Sequence, residues 1–575
     1  MASLSIESKF GKPFLEDVQN KITILFIPLL TFLLTSIHLQ AQDLEQIGKQ
    51  KPVRLNGGLT VLANTYQVSG IVPRSKPFLW SINGSPTLNI YGVTLPFYFN
   101  IGAQNRSFSQ PFNQFGVSPK YKAITAHLGW RSMNFSQYTL GGIMMFGGGI
   151  ELNPGKFRFA AMIGRFNKAV REDSTQQFVR PQPAYKRTGF STKIGFGTDA
   201  NFIDFIILKA KDDASSYTDA PERLRPAENA LFGINSRFLL FKHVQVGFEI
   251  AASAFTRNTL LDTLEDSDFE FLKPIMPPNI STQFLFAGNA HIGYTSKFFN
   301  LRLNYKRVDQ DYASMGAYIF QTDMESYTVE PSFNLFKSKI RLSGSIGLQH
   351  DNLLKNKLIT TNRTIGSINL SFQPNPKYGL DVQYGNYGIA QRAGIIPIND
   401  TTRLAIANQN FTVVNRLSRI NTIRSINVVA LFMYQDLSSL NPFQSSQIGS
   451  NVLVGNLSGN YALISTGLNF SAGVNYSKST FQLGEAVLVG PTIGIGRSFM
   501  KKKLSSSLGA GYMVNQFQGN TTGSSVNGNL NFNYRISGKH SFLANLRFTH
   551  NGSTSPIATP FSEFWMSAGY QFTFF

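Results

Sequence analysis

The sequence predicts an all-β fold, a large antiparallel transmembrane β-barrel of about 24 strands, between roughly 22 and 26, with short periplasmic turns and long extracellular loops. Three observations predict it. Apolar and polar residues alternate with a period of two along most of the chain. The connections between alternating segments switch between short and long, and the chain ends on the aromatic stretch FWMSAGYQFTFF.

Composition removes the competing classes. The chain has 575 residues, 53 Lys+Arg against 32 Asp+Glu for a net charge of +21, 13% aromatics, 49 Gly and no Cys. Without thiols there is no disulfide scaffold, no Cys-ligated zinc or iron–sulfur site, no cysteine nucleophile and no lipid-modified N-terminal cysteine. Charged residues make up 15%, below the roughly 25% of ordinary soluble domains. Fifty Phe residues demand burial, which excludes a disordered chain. A polytopic helical membrane protein needs several spans of about 20 apolar residues, and only one long apolar run exists.

That run opens the chain. Residues 22–37 read ITILFIPLLTFLLTSI, after Lys21 and before HLQAQ. A cation, an apolar stretch and the small residue Ala41 fit an export signal cut after position 41; a single membrane anchor is the alternative, disfavoured by Pro28 and the short length. The expected organisation is a signal peptide over 1–41, a short periplasmic segment over 42–54 and the barrel over 55–575. An exported chain makes nucleic acid a poor partner in spite of the charge.

The barrel is read from its alternation. Tyr91, Val93, Leu95, Phe97, Phe99 and Ile101 mark an early strand, and Val244, Val246, Phe248 and Ile250 another. Phe299, Leu301, Leu303 and Tyr305 alternate with Asn300, Arg302, Asn304 and Lys306. Leu468, Phe470, Ala472, Val474 and Tyr476 alternate with Asn469, Ser471, Gly473 and Asn475, and Leu530, Phe532, Tyr534 and Ile536 with Asn529, Asn531, Asn533 and Arg535. Successive strand side chains point to opposite faces, so each segment is a wall with one apolar and one polar side. Short turns are predicted at 153–156, 240–243, 335–339, 373–377, 500–503 and 537–540. Long loops are predicted at 168–186, 211–228, 257–281, 309–323, 352–363, 389–403, 437–450 and 549–562. The stretch 106–122 is long yet falls on the short-turn side, which calls for either a miscount near the N-terminus or a periplasmic or inward-folded element.

A sheet in a bilayer must satisfy its own backbone, and only closure does so. The outward face then meets lipid and the inward face water. A secreted β-sandwich or adhesin array would alternate too, but no internal repeat supports an array. At this strand number the lumen is wide, and is either a channel or filled.

Parity places Arg131, Arg158, Lys193, Arg302, Lys306, Arg341, Arg535 and Arg547 inward, against Asp204, Glu249, Glu330 and Asp381. An excess of cations favours anions in a confined lumen; the alternative is that these residues pair with one another or with loops and hold the wall. Glu265, Asp266, Asp268 and Glu270 could gather oxygen ligands for calcium, but lack the spacing of an EF-hand loop and read first as a solvated acidic loop. His38 lies in the leader, His127 faces inward, and His243 and His540 sit at turns. None has a Ser or Asp at a catalytic spacing, so no enzyme activity, cofactor or metal is expected. The glycines of 141–149 and 490–496 read as strand bends or close backbone approach, not as phosphate loops. The terminal strand carries Met566, Ala568, Tyr570, Phe572 and Phe574 on one face. With the final Phe575, the residues Tyr570, Phe572 and Phe574 resemble the outer-membrane assembly signal read by the insertion machinery, displaced by one residue from its usual phase.

LNGGLTVLAN, LNIYGVTLPFYFN, RSFSQPFNQFGVSPKYK, HLGWRSMNFSQYTLGG and RFAAMIGRFNKAV together resemble uncharacterised outer-membrane β-barrel proteins of Bacteroidota. The resemblance implies fold and a Gram-negative outer-membrane location, and supplies no substrate. DST (173–175), DTL (262–264) and DTT (400–402) resemble the short O-glycosylation sequon of that group. The chain does not resemble a TonB-dependent transporter with its separate plug, nor an OmpA-type protein with a C-terminal peptidoglycan domain. The function expected is a passive or gated pore for small, anionic solutes. The alternative is a barrel subunit or scaffold of an envelope complex for secretion or surface-protein assembly. The partners expected are outer-membrane lipid and lipopolysaccharide, the insertion machinery and an envelope-complex protein.

Overall fold

The computed structural model describes residues 53–103, 109–172, 182–264, 270–319, 321–395, 403–441, 443, 449–554 and 559–574. They form one antiparallel sheet of 28 strand segments that closes on itself. The first strand, Val53–Ser69, pairs with the last, Phe561–Phe574, from Gly57 opposite Phe574 to Ser69 opposite Ser562. No α-helix occurs among the described residues, only the single 3₁₀ turns Ala214–Ser216 and Glu270–Leu272.

Two barrel strands are interrupted by proline. Phe78–Gly84 continues as Thr87–Ile90 across Pro86, and Gln114–Val117 continues as Lys120–Tyr121 across Pro119. Proline has no N–H for the ladder, but its carbonyl still accepts: Phe97 N donates to Pro86 O at 2.8 Å. Counting each interrupted strand once gives 26 strands, the upper end of the expected range. The troublesome stretch 106–122 is thereby resolved. Its residues 109–113 belong to a connection at the long-loop rim, and Gln114–Val117 with Lys120–Tyr121 is a wall strand.

At one rim no connection exceeds four residues, from 91–92 to 536–539. The other rim carries 168–185, 214–227, 257–281 and 309–323, but also the tight turns 482–483 and 518–519. Gln518 and Gly519 have φ of 49° and 80°, the paired left-handed residues that a two-residue hairpin turn of the I′ type requires. Length therefore separates the rims only from the short side.

The outward face is apolar: Phe205, Ile207, Ile346, Leu348, Val474, Ile493 and Phe548 are all exposed. For 26 strands spaced by about 4.8 Å and tilted by roughly 40°, a circular section is about 50 Å across. Two connections turn into that lumen. Residues 132–144 and 309–319 meet where Gly141 N donates to Gly316 O at 2.9 Å and Tyr312 Oη donates to Tyr138 O at 2.8 Å. Tyr138, Leu140, Tyr312 and Met315 pack there on Met145, Met162, Ile206, Leu208 and Leu231 of the wall. Residues 271–281 turn the other way and lay Leu272 and Met276 over Ala230 and Ala254.

Candidate functional site

The register carries the inward face around the closed sheet, and all of Arg131, Arg158, Lys193, Arg302, Lys306, Arg341, Arg535, Arg547, Glu249, Glu330 and Asp381 lie on it. Some hold the wall. Arg158 forks Asp204 at 2.9 and 3.2 Å and reaches Asp199 at 3.1 Å, and Lys193 adds a contact to Asp204 at 3.8 Å. Asp381 pairs with Arg416. Glu249 accepts the Tyr138 backbone N–H at 2.9 Å, so it anchors the inward-folded segment. Others have no such partner. Among the described residues no carboxylate lies within ion-pair distance of Arg131, Arg302, Lys306, Arg341, Arg535 or Arg547.

Beneath the inward-folded segment lies a polar cup of about 380 Å³. Its roof is Asn134–Gln137, held in part by Asn235 Nδ2 donating to Phe135 O at 3.3 Å. Its walls come from the short-turn halves of seven neighbouring strands, from Phe157–Asn167 to Phe299–Val308, and include Arg158, Lys193, Asp204, Arg237, Glu249, His291 and Arg302. Sequence reasoning missed Arg237 and His291. Arg237 follows Asn235 on the inward face of Glu228–Leu240, but the buried Leu231 on that same face hides the period. A second hollow of about 380 Å³ lies on the wall of the last strands, lined by Asn469, Ser471, Thr492, Ser507, Asn527 and Asn529.

Charge is also sorted by rim. Lys122, Lys156, Lys242, Lys297, Lys337, Lys377, Lys502 and Lys539 sit exposed in the short turns, where the sole carboxylate, Asp199, is taken by Arg158. The carboxylates Asp213, Glu228, Asp309, Asp311, Asp323 and Glu325 cluster at the opposite rim or in its loops. At that rim Asp323 is paired with Lys357 and accepts the Asn352 and Leu353 backbone N–H groups, both at 2.9 Å. Burial pushes its carboxyl up, but the ammonium and the two amides outweigh it and hold the group below the ordinary carboxylate value.

His127 has partners that spacing could not reveal. Its Nδ1 meets Ser118 Oγ at 2.9 Å and its Nε2 meets Glu151 Oε1 at 3.0 Å. Ser118 and His127 are 3% and 2% exposed, so the hydroxyl is closed to solute and the trio ties adjacent strands. His243 stays at its turn, Nδ1 against Thr295 O at 2.9 Å, and His540 packs on Phe572 with ring centroids 4.8 Å apart. Tyr570, Phe572 and Phe574 point outward near the short-turn rim, and Phe575 lies outside the described residues. The glycine groups mark close approach: a Cβ on Gly147 would lie 2.0 Å from Ile163 O. Residues 265–269 of the acidic loop, DST and DTT lie outside the described residues, as do residues 1–52. Within DTL, Thr263 is exposed and bridges Asn279.

No protein-family model and no curated protein matches the chain. Among solved structures, the FrpB iron transporter from Neisseria meningitidis (F3-3 variant) aligns over 93% of this chain and 83% of its own, at 10% identity and a TM-score of 0.38. The translocation pore of the P pilus usher PapC aligns over 90% of this chain and 99% of its own, at 10% identity and a TM-score of 0.36. Pseudomonas aeruginosa OpdQ aligns over 63% and 97%, at 9% identity and a TM-score of 0.34.

Proposed function

We propose that this chain is an outer-membrane barrel, exported by a cleaved leader, that passes small anionic solutes through its lumen. One observation carries the reading. The inward cations Arg131, Arg302, Lys306, Arg341, Arg535 and Arg547 have no carboxylate within ion-pair distance among the described residues. In a confined aqueous lumen such charge is balanced by mobile anions, which raises their local concentration. The lysines of the short-turn rim extend the same sign to the mouth. Outward Phe, Leu and Ile suit lipid and lipopolysaccharide, and the terminal aromatic face suits recognition by the insertion machinery. No catalytic role is assigned.

The test is conductance in planar bilayers. Folded, reconstituted protein is expected to carry current, with a reversal potential in a KCl gradient that favours chloride. Arg535→Gln with Arg547→Gln is expected to reduce that preference. Absence of current from folded protein overturns the pore. A second reading, a barrel subunit or scaffold of an envelope complex, draws on the inward-folded 132–144 and 309–319 segments, which occupy part of the lumen. Co-purification of a stoichiometric partner from native envelopes would favour it.

A further inference from the structure

We propose that Arg237, His291 and Arg302 form a docking site for a compact multivalent oxyanion, phosphate or a phosphate monoester, inside the cup. The site rests on the reading above only in taking the lumen as accessible to solute. In the register Arg237 stands opposite Gly247, Gly247 opposite His291, and His291 opposite Asn304, so these residues form one row across four strands. Arg302 lies opposite Gly293, two residues from His291 on the same inward face. Gly247 opens the row. A Cβ there would lie 2.4 Å from His291 Cε1 and 2.9 Å from its Nε2, so the imidazole leans over the missing side chain toward Arg237. All three side chains line the same cup, so they face one opening.

Among the described residues none of the three has a carboxylate within ion-pair distance, although Glu330 stands opposite Arg302 and Glu249 also lines the cup. Asp204 is paired with Arg158 and Lys193, and Glu249 accepts the Tyr138 N–H. Among the described residues Arg302 donates only to Asn304 Oδ1, at 2.8 Å, and Arg237 lies against the Phe202 ring at 5.8 Å. The imidazole has no hydrogen-bond partner among the described residues. Two planar forks and an imidazole around one opening suit a tetrahedral or paired-oxygen anion, which accepts several bonds at once. A monovalent halide cannot use them all. The cup's wall residues lie on the short-turn halves of their strands, so the anion enters from the lysine-lined rim.

Isothermal titration of folded, detergent-solubilised protein with inorganic phosphate at fixed ionic strength tests this. Saturable binding is expected, with chloride at equal strength giving none. Arg237→Gln with Arg302→Gln should weaken it at least about ten-fold, and Gly247→Ala several-fold by displacing the imidazole. Folding of each variant is checked by β-sheet circular dichroism and heat-modifiable migration. Arg535→Gln with Arg547→Gln, far around the wall, should leave affinity unchanged. Equal affinity in wild type and the Arg237/Arg302 double variant overturns the site. Equal loss in the Arg535/Arg547 variant overturns it too, since attraction would then belong to the whole lumen. Current without phosphate binding defeats the site and spares the pore; binding without current does the reverse.

Discussion

The strands between Met145 and Leu335 and those between Ile359 and Phe574 solve the same problem differently. In the first group strands run from 8 to 14 residues, and the inward face at Leu208, Leu231, Ala251 and Met324 is buried under 132–144 and 309–319. In the second group strands run from 14 to 17 residues, and the inward face at Asn469, Ser471, Ser507, Asn529 and Asn545 meets no inward-folded segment among the described residues. The contrast has an exception: Leu431, Met433, Val452 and Val454 face inward without such a cover. Period two is common to both groups, so alternation alone cannot say whether the second face meets water or protein. The covered half betrays itself where alternation fails. In FIDFIILKAKDD (202–213) the run Phe205–Leu208 is apolar on both faces, as a wall must be when lipid touches one side and protein the other.

Substitution to arginine should separate the halves most strongly. Leu231→Arg places a charge at a fully buried position and is expected to destabilise by more than about 3 kcal/mol, read as a shifted urea midpoint. Ser507→Arg, inward in the bare half, should cost under about 1 kcal/mol. Equal costs would show that the covered half is not packed. Next in size is a pair of neighbours at mid-strand in the bare half. Ile493→Arg points outward and should cost about 2–4 kcal/mol in a bilayer, while Thr492→Arg, inward, should cost under about 1 kcal/mol. A reversed order would invert the two faces.

Smaller effects sharpen the seat of the inward segments. Tyr312→Phe removes the bond to Tyr138 O and leaves a buried carbonyl with one acceptor site fewer satisfied, a loss of about 1 kcal/mol, measured by proteolysis of 132–144. At the long-loop rim Asp323 titrates low because Lys357 and two amides favour its charged form. A depressed folded value means that its contribution is full above the ordinary carboxylate range and is lost as pH falls through the folded value. The protection of the Asn352 and Leu353 amides, measured against their intrinsic exchange rate at each pH, should therefore fall on acidification, and Asp323→Asn should remove that dependence.

The wall was readable because each strand needs only its own alternation. Arg158, Arg302, Arg341, Arg535 and Arg547 could be placed on a face from neighbours in the sequence. Strand number was less secure, since Pro86 and Pro119 divide strands that continue across them. The cup could not be read at all. Arg237, Gly247, His291 and Arg302 span several strands, and only the register aligns them. Nor could Ser118 and Glu151 be matched with His127 before their strands were paired.

What the chain's order of residues determined by itself was the wall, because a two-residue period and turn chemistry are local and the bilayer forbids an open sheet edge. Tertiary structure decided the rest: which half of the lumen is filled, which cations keep a partner and which small residue lets an imidazole lean across it. Those are contacts between distant segments, set by packing and register, and no local pattern encodes them.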